Sequence, residues 1–178
     1  MITTEEHIRS HADTINWSDL SKECDINSYS FEFIMEFKYE WDWRVISSSQ
    51  KLNEKFIREH TDSLNWTLMS THQDLSMNFI EEMSSHIDWI LICTNKNYIH
   101  LPESEHFVRK FKDKVNWEYA SKCMNMTERF LLEFEDNVDW HMASHYQDMS
   151  IDFQRQHKDK LYKVWKKQIA ESRNNLNN

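Results

Sequence analysis

Apolar residues recur along the chain in short clusters with helical spacing, and the clusters repeat every 23 to 28 residues. Six tryptophans, each preceded by Asn or Asp, mark this period at intervals of 26, 23, 23, 28 and 23 residues: Trp17, Trp43, Trp66, Trp89, Trp117 and Trp140. A fixed period between about 20 and 50 residues is typical of stacked repeat proteins. The pattern therefore predicts a chain built from repeated helical units.

Each copy of the repeat predicts a first helix that begins at a hydroxyl or amide residue able to accept backbone N–H bonds. These capping residues define copies 1 to 7: Thr4, Ser30, Asn53, Ser76, Ser104, Thr127 and Ser150. Three residues later, every copy except the first carries a phenylalanine that we predict lies in the repeat core: Phe33, Phe56, Phe79, Phe107, Phe130 and Phe153. A second large residue four positions on completes a short apolar face.

A second helix is predicted to start at the Asn or Asp that precedes each tryptophan: Asn16, Asp42, Asn65, Asp88, Asn116 and Asp139. The tryptophan is then the first helical residue, and we predict that its indole lies in the shared core with the phenylalanines. Four residues after it stands Ser, or Cys93 in copy 4. So small a residue in every copy indicates close helix packing, because six equivalent serine-like residues cannot each be a nucleophile.

Helices this short are marginal alone in water, so neighbouring helices must stabilise them. The predicted fold is all-α, an α-solenoid of about six to seven short antiparallel helical hairpins. In the final copy the Asn/Asp-Trp pair is replaced by Tyr162 and Lys163, which predicts one longer C-terminal capping helix from Ile151 to Ser172. Residues 1–173 are predicted to form a single repeat domain, followed by a frayed tail at 174–178.

Composition excludes several classes of enzyme. The 178 residues contain no glycine and a single proline, Pro102. Phosphate-binding loops, dinucleotide fingerprints and nucleophile elbows all need glycine, and hairpin-rich β folds rely on it in their turns. Cys24, Cys93 and Cys123 are widely spaced and predict reduced thiols. Without an apolar run of membrane-spanning length or a signal core, the chain is predicted to be soluble and cytoplasmic.

Charge is distributed unevenly, and no residue cluster indicates catalysis. The net charge is -9, whereas residues 154–178 hold seven basic and two acidic residues, which is +5, so the remainder carries -14. His141 and His145 have a spacing that can chelate a metal, but the glutamate of a zinc-protease motif is absent. Paired carboxylates mostly occur early in helices, where their negative charge interacts favourably with the helix dipole. We therefore predict no catalytic residue, no metal and no cofactor.

Two breaks in the period are the predicted places for partner contacts. The 26-residue interval contains Asp25–Tyr29 and the 28-residue interval contains Asn95–Glu103. Extra residues in a repeat usually lengthen a loop, often on the binding face, although a tolerated insertion is the plainer alternative. With the basic end added, the candidate partner-binding residues are Asn97, Tyr98, His100, Arg155, Lys158, Lys163, Lys166 and Lys167.

The repeat begins with a cap followed three residues later by Phe-Ile, as in LSMNFIEEMSSHIDW, and centres on [Asn/Asp]-Trp-x-x-[Ile/Ala/Met]-Ser. Over about residues 3 to 168 it resembles tandem repeats of uncharacterised proteins from large DNA viruses and bacteriophages. The resemblance implies an α-helical protein of viral or phage origin, and no activity or site residue comes with it.

Three functions fit the sequence. The first is a non-enzymatic, acidic interaction module that binds and sequesters or inhibits a host or defence protein with a basic or nucleic-acid-binding site. The second is nucleic-acid binding through the basic C-terminal helix. The third is a structural protein that self-assembles, and the oligomeric state is left open.

Overall fold

The computed structural model describes residues 4–161, and these residues confirm the all-α prediction, with no strand among them. Two 3₁₀ helices occur, at Ile26–Ser28 and at Leu91–Thr94. The α-helices are only six to eight residues long: α1 (Glu5–His11), α2 (Trp17–Glu23), α3 (Phe31–Glu36), α4 (Trp43–Ser49), α5 (Glu54–Glu59), α6 (Trp66–His72), α7 (Met77–Glu82), α8 (Glu103–Lys110), α9 (Trp117–Cys123), α10 (Glu128–Glu133), α11 (Trp140–Tyr146) and α12 (Ile151–Gln156).

The chain divides into two compact units, Met1–Leu91 and Ile92–Asn178. In the first unit the second helices of successive copies pack on one another, α2 on α4 and α4 on α6. In the second unit α9 packs on α11 in the same way. Neighbouring copies therefore stack within each unit. A single domain over residues 1–173 and a solenoid over the whole chain stay predictions, and the tail at 174–178 lies outside the described residues.

Six of the seven predicted caps of the first helices are confirmed, because each side-chain oxygen accepts the backbone N–H three residues later. The prediction for Ser104 was wrong. Helix α8 begins at Glu103, after Pro102, and Ser104 is buried within its first turn. The Ser104 hydroxyl donates to the Asn125 carbonyl oxygen at 2.5 Å, so a contact with the end of its own copy uses the group that was expected to cap the helix.

The caps of the second helices are also confirmed, including Asp88, whose carboxylate accepts the N–H groups of Ile90 and Leu91. An α-helix does not follow Asp88, however. A turn and the 3₁₀ helix Leu91–Thr94 stand in its place. Ile90, Ile92 and Thr94 are β-branched, and three such residues within five lower helix propensity.

The core of the structure contains the predicted phenylalanines but not the predicted tryptophans. All six phenylalanines named above are buried. The six tryptophans are only half-buried, so their prediction as core residues is corrected. Each indole Nε1–H donates to the carbonyl oxygen five residues earlier, at 2.8 to 3.2 Å: Trp17 to Ala12, Trp43 to Lys38, Trp66 to Thr61, Trp89 to Ser84, Trp117 to Lys112 and Trp140 to Glu135. The indole keeps one edge at the surface because its N–H closes the turn between the two helices.

The long C-terminal helix is corrected in its described part. Helix α12 ends at Gln156, where the N–H of His157 bonds to the Phe153 carbonyl oxygen, as at the end of the other first helices. Helical structure resumes at residue 158. Copy 7 therefore keeps the helix end of its repeat although it lacks the Asn/Asp-Trp pair, and the predicted course to Ser172 lies outside the described residues.

The absence of glycine is matched by the backbone conformation. No described residue has a positive φ, the region in which glycine is favoured. Helices often end at a glycine in the left-handed region. Here the residues after the helices have negative φ angles, from -54° at Ala12 to -120° at His60. Chain reversal in this repeat therefore needs no glycine.

Candidate functional site

Most polar groups of the repeat join one copy to the next. The serine four residues after Trp is buried in copies 1, 2, 3 and 5, and its hydroxyl oxygen accepts the N–H of the next second-helix cap at 2.9 to 3.0 Å. Ser21 and Ser47 also donate to the tryptophan carbonyl oxygen of their own helix. Ser144 occupies this slot in copy 6, where no Asn/Asp-Trp pair follows, and it is exposed. The slot therefore serves contacts between copies.

Glutamines seven residues after Trp reach back to the preceding copy. The side-chain amides of Gln50, Gln73 and Gln147 each donate to two carbonyl oxygens at the end of the preceding second helix, at 2.7 to 3.0 Å. These carbonyl groups have no partner within their own helix. The glutamines therefore satisfy the helix ends that glycine-based motifs satisfy in other proteins.

Glutamates one residue after the first cap bind the cap of the next copy. Glu5 accepts the N–H of Ser30 at 2.7 Å, and this hydrogen bond is the main cause that lowers the pKa of Glu5. Glu54, Glu105 and Glu128 accept the corresponding N–H groups of Ser76, Thr127 and Ser150. An acidic residue in this slot is therefore a connection between copies.

Three arginines make the most elaborate contact between copies. Arg9, Arg58 and Arg109 each stand five residues after a first cap in copies 1, 3 and 5. Each bonds to a glutamate of the next copy at 2.7 to 3.1 Å, namely Glu36, Glu82 and Glu133. Its guanidinium carbon also lies 4.7 to 4.9 Å from the centre of a buried ring of that copy, Phe33, Phe79 or Phe130. The hydrogen bond from the arginine lowers the carboxyl pKa of Glu82 and Glu133.

Copy 2 departs from this scheme. Phe31 occupies the slot in which copies 1, 3, 5 and 6 carry the connecting glutamate, and Met35 occupies the arginine slot. The cap of copy 3 is satisfied differently, because the Asn27 side-chain oxygen accepts the N–H of Asn53 at 2.9 Å. Asn27 lies in the 3₁₀ helix formed by the extra residues of the 26-residue interval. The insertion thus replaces the missing glutamate, and Phe31 contacts copy 3 through its ring instead, which stacks on His60 with 5.2 Å between ring centres.

Residues of α3 and of the turn after it form an exposed surface. Phe31 and Met35 lie one helical turn apart on α3 and are 42% and 37% exposed, and Tyr39 in the following turn is 95% exposed. Glu32 and Glu40 are exposed beside them. We call these five residues the α3 surface. A cluster of large exposed side chains with acidic neighbours is typical of an interaction site.

A cleft with a volume of about 340 Å³ adjoins the α3 surface. Its walls include the first turns of α3 and α5 and the insertion, with residues Asn27, Tyr29, Phe31, Glu32, Phe56 and Glu59. Tyr29 also contacts Cys24, and burial raises the pKa of Tyr29 to about 12 and that of Cys24 to about 11. Both groups are therefore neutral at pH 7. The acidic and basic side chains that line the cleft are Glu32, Glu59 and Lys55.

The acidic charge of the protein belongs to the first unit. Residues 1–91 contain 7 basic and 17 acidic residues, a net charge of 7 minus 17, or -10. Residues 92–178 contain 14 basic and 13 acidic residues, a net charge of +1, and the two values add to the -9 of the chain. The α3 surface therefore lies in the unit whose field attracts positively charged partners.

The candidates in the 28-residue interval have different surroundings. Tyr98 is buried and stacks on Phe107 with 5.0 Å between ring centres, so it is removed from the set of partner contacts. Asn97 is half-buried and His100 is exposed. Among the basic candidates, Arg155 and Lys158 are exposed. Lys163, Lys166 and Lys167 lie outside the described residues.

The predicted absence of a metal site stays a prediction. His141 and His145 have ring centres 4.7 Å apart, and the Nδ1 of His145 lies 2.9 Å from the His141 carbonyl oxygen. Across residues 4–161, no group of three or more His, Cys, Asp or Glu side chains could hold a metal ion. The helices described here are also too short to cross a membrane.

Comparisons with known proteins do not assign the chain to a family. Neither protein-family models, curated proteins nor solved structures give a match to the chain. The resemblance to viral and phage repeats therefore stays a prediction that rests on the repeat motif.

Sequence reasoning located the insertion at Asp25–Tyr29 but missed the residues beside it. Phe31, Met35 and Tyr39 were not singled out, because they look like ordinary apolar positions of a helix. A comparison of the copies contains the missing signal. Phe31 is an aromatic residue in a slot that carries Glu in copies 1, 3, 5 and 6. Copies 4 and 7 carry Met77 and Ile151 in this slot, so Phe31 is a signal only together with the insertion that directly precedes it.

Proposed function

We propose that the protein is a non-enzymatic interaction module whose first unit binds a basic segment of another protein through the α3 surface. The observation that carries the proposal is the exposed trio of Phe31, Met35 and Tyr39 beside a cleft in a unit of net charge -10. Aromatic side chains supply much of the energy of protein interfaces, while complementary charge raises the rate of association.

The way in which copy 2 is built supports this function. Replacing a connecting glutamate by Phe31 would leave the N–H of Asn53 without its usual acceptor, and the insertion supplies Asn27 instead. An exposed aromatic residue does not stabilise the fold as a buried one does. Phe31 stacks on the buried His60 and yet stays 42% exposed, so the exchange leaves aromatic surface that a partner can cover.

The proposal also includes the viral or phage origin that the repeat motif implies. A viral or phage protein of this kind would bind and sequester or inhibit a host or defence protein. The basic partner segment could belong to a nucleic-acid-binding protein, since such segments are rich in Lys and Arg.

The experiment is a capture assay with the immobilised full chain at about 50 mM and about 500 mM salt, with nuclease present, since salt at these levels screens surface charges. The test variant combines Phe31→Ser and Tyr39→Ser. The matched control combines Tyr146→Ser and Ile151→Ser, which remove exposed large residues from the second unit. We expect a basic protein that the wild type and the control retain at low salt and that the test variant loses.

Two results would contradict the proposal. Equal capture by the test variant would remove the α3 surface from the interaction. Capture that disappears when nuclease is added would favour binding of nucleic acid instead, and the basic end of the chain would then be the first place to substitute.

A further inference from the structure

The contact between copies 2 and 3 contains an arginine-binding arrangement without its arginine. In the three arginine contacts, the receiving copy contributes a phenylalanine three residues after its cap and a glutamate six residues after it. Copy 3 has both groups, Phe56 and Glu59, whereas the residue that copy 2 places in the arginine slot is Met35. Phe56 and Glu59 both line the cleft.

Other contacts of this kind do not leave the same arrangement open. In the second unit, copy 6 places Leu132 in the arginine slot, but the receiving copy carries Gln156 where the glutamate would be. Glu59 itself is paired only loosely within its helix, with 3.7 Å between its carboxylate and the Lys55 ammonium, whose side chain is 82% exposed. Such a pair contributes little stability and yields readily to a better partner.

We propose that the cleft is a subsite for an arginine side chain of the partner protein. The guanidinium would pair with the Glu59 carboxylate, as Arg58 does with Glu82 at 2.7 Å. Phe31, which stands where the arginine copies have their own glutamate, lines the cleft and is 42% exposed, so the guanidinium would stack on its ring, whereas Phe56 is only 4% exposed. The inference rests on the proposed function and names the residue that the basic segment must contain.

Arginine fits this arrangement better than lysine. Its planar guanidinium donates two parallel hydrogen bonds to one carboxylate and stacks on an aromatic face at the same time. The internal examples use both features, since Arg58 and Arg109 each donate from two nitrogen atoms to the two oxygens of one glutamate. A lysine ammonium is a point charge and cannot make both contacts.

The first test titrates the ¹⁵N-labelled full chain with N-acetyl-arginine amide and follows the backbone amides by NMR. We expect saturable shifts at Phe31, Phe56 and Glu59, with a dissociation constant on the order of 1 mM, because the probe makes one ion pair and one ring contact. N-acetyl-citrulline amide has the same shape without the charge and should bind at least about tenfold more weakly. No saturable shift with arginine, or equal shifts with citrulline, would overturn the subsite.

Two variants, each with a matched control, make the test specific to Glu59 and to the arginine slot that Met35 occupies. Glu59→Gln should weaken binding of the arginine probe at least about tenfold, whereas Glu82→Gln, in the same slot of the next copy, should leave it unchanged. Met35→Arg should fill the cleft from within and abolish probe binding. Leu132→Arg adds the same charge opposite Gln156 and should have no effect. Wild-type binding by folded Met35→Arg protein would overturn the inference.

The same variants separate this inference from the proposed function. A partner that is lost with the Phe31→Ser/Tyr39→Ser variant but retained by Glu59→Gln and Met35→Arg would overturn the arginine subsite and support protein binding by the α3 surface. Normal binding of the arginine probe without any capture that depends on the α3 surface would overturn the protein-binding function and support the cleft's recognition of arginine.

Discussion

The two units use the same contacts between copies, but they differ in charge and in what they leave uncovered. Each contains a buried serine that bonds to the next cap, a glutamine that reaches back, and an arginine over the phenylalanine of the next copy. The first unit carries a net charge of -10 and the second +1. Equal construction with unequal charge indicates that the charge was not needed to form the fold.

The insertions of the two units also differ in whether they expose or bury an aromatic residue. The insertion of the first unit supplies Asn27 to a neighbouring cap and so exposes Phe31. The insertion of the second unit contains Tyr98, which is buried against Phe107. One insertion therefore opens a surface and the other contributes to the core. Insertion length alone does not distinguish them, since both interrupt the same period.

The largest expected effect tests whether the units are built alike. Phe79→Ala in the first unit and Phe130→Ala in the second each remove a buried ring that lies under an arginine. Both should lower the free energy of unfolding by about 3 to 5 kcal/mol, through lost burial and the cavity that remains. Hydrogen exchange in increasing urea, followed by mass spectrometry, measures each unit separately. A small loss of unfolding free energy in one unit would show that the two units do not depend on this ring in the same way.

A smaller effect is expected from the serine contact. Ser47→Ala and Ser121→Ala leave the N–H groups of Asn65 and Asp139 without an acceptor, at a cost of about 1 to 3 kcal/mol in the free energy of unfolding. Ser144→Ala is the matched control, because that residue is exposed and is followed by no further Asn/Asp-Trp pair. Urea denaturation of the three variants measures the difference, and equal stability of all three would show that the slot requires only a small residue.

The arginine contact should contribute less, because it is partly exposed. Arg58→Met gives copies 3 and 4 the same arginine-slot residue as copies 2 and 3, and it should cost about 1 kcal/mol of the free energy of unfolding. Arg155→Met is the control, since the Arg155 side chain is 77% exposed and, among the described residues, pairs with Asp152 within its helix. Urea denaturation of both variants measures the difference, and an equal loss of stability would show that the contact with copy 4 adds nothing to the fold.

The last prediction concerns the acid sensitivity that His60 gives to the first unit. His60 is 3% exposed between Phe31, Trp43 and Phe56, and burial lowers its pKa below the ordinary value of 6.5. The unfolded chain therefore binds a proton more readily than the folded chain. The stability contributed by neutral His60 is present above pH 6.5 and declines as the pH falls below that value toward the folded-state pKa.

His60→Phe should remove this pH dependence, because Phe37, Phe111 and Phe134 occupy the same slot in other copies. Thermal unfolding of wild type and variant between pH 7.5 and about 5 measures the effect, on either side of the ordinary histidine pKa. An unchanged slope of stability against pH in the variant would assign the acid sensitivity to other groups.

Local features of the fold were predictable because they depend on residues close in sequence. A cap accepts an N–H three residues later, so the spacing of Ser30 and Phe33, or of Asp42 and Trp43, was sufficient. Ser104 escaped this logic because its hydroxyl binds a carbonyl group 21 residues away. The half-burial of the tryptophans was also not predicted. Their hydrophobicity predicted a core position, whereas each indole N–H donates to a carbonyl oxygen of the nearby turn.

By itself the sequence determined the all-α class, the period, nearly all of the caps and the positions of the buried phenylalanines, because short-range hydrogen bonds and helical spacing act within one copy. Only the tertiary structure decided which side chain completes a neighbouring copy. It placed Asn27 at the cap of Asn53, and it left the cleft at Phe56 and Glu59 without an arginine from copy 2. These contacts join residues about one period apart, and their geometry exists only after the copies have packed.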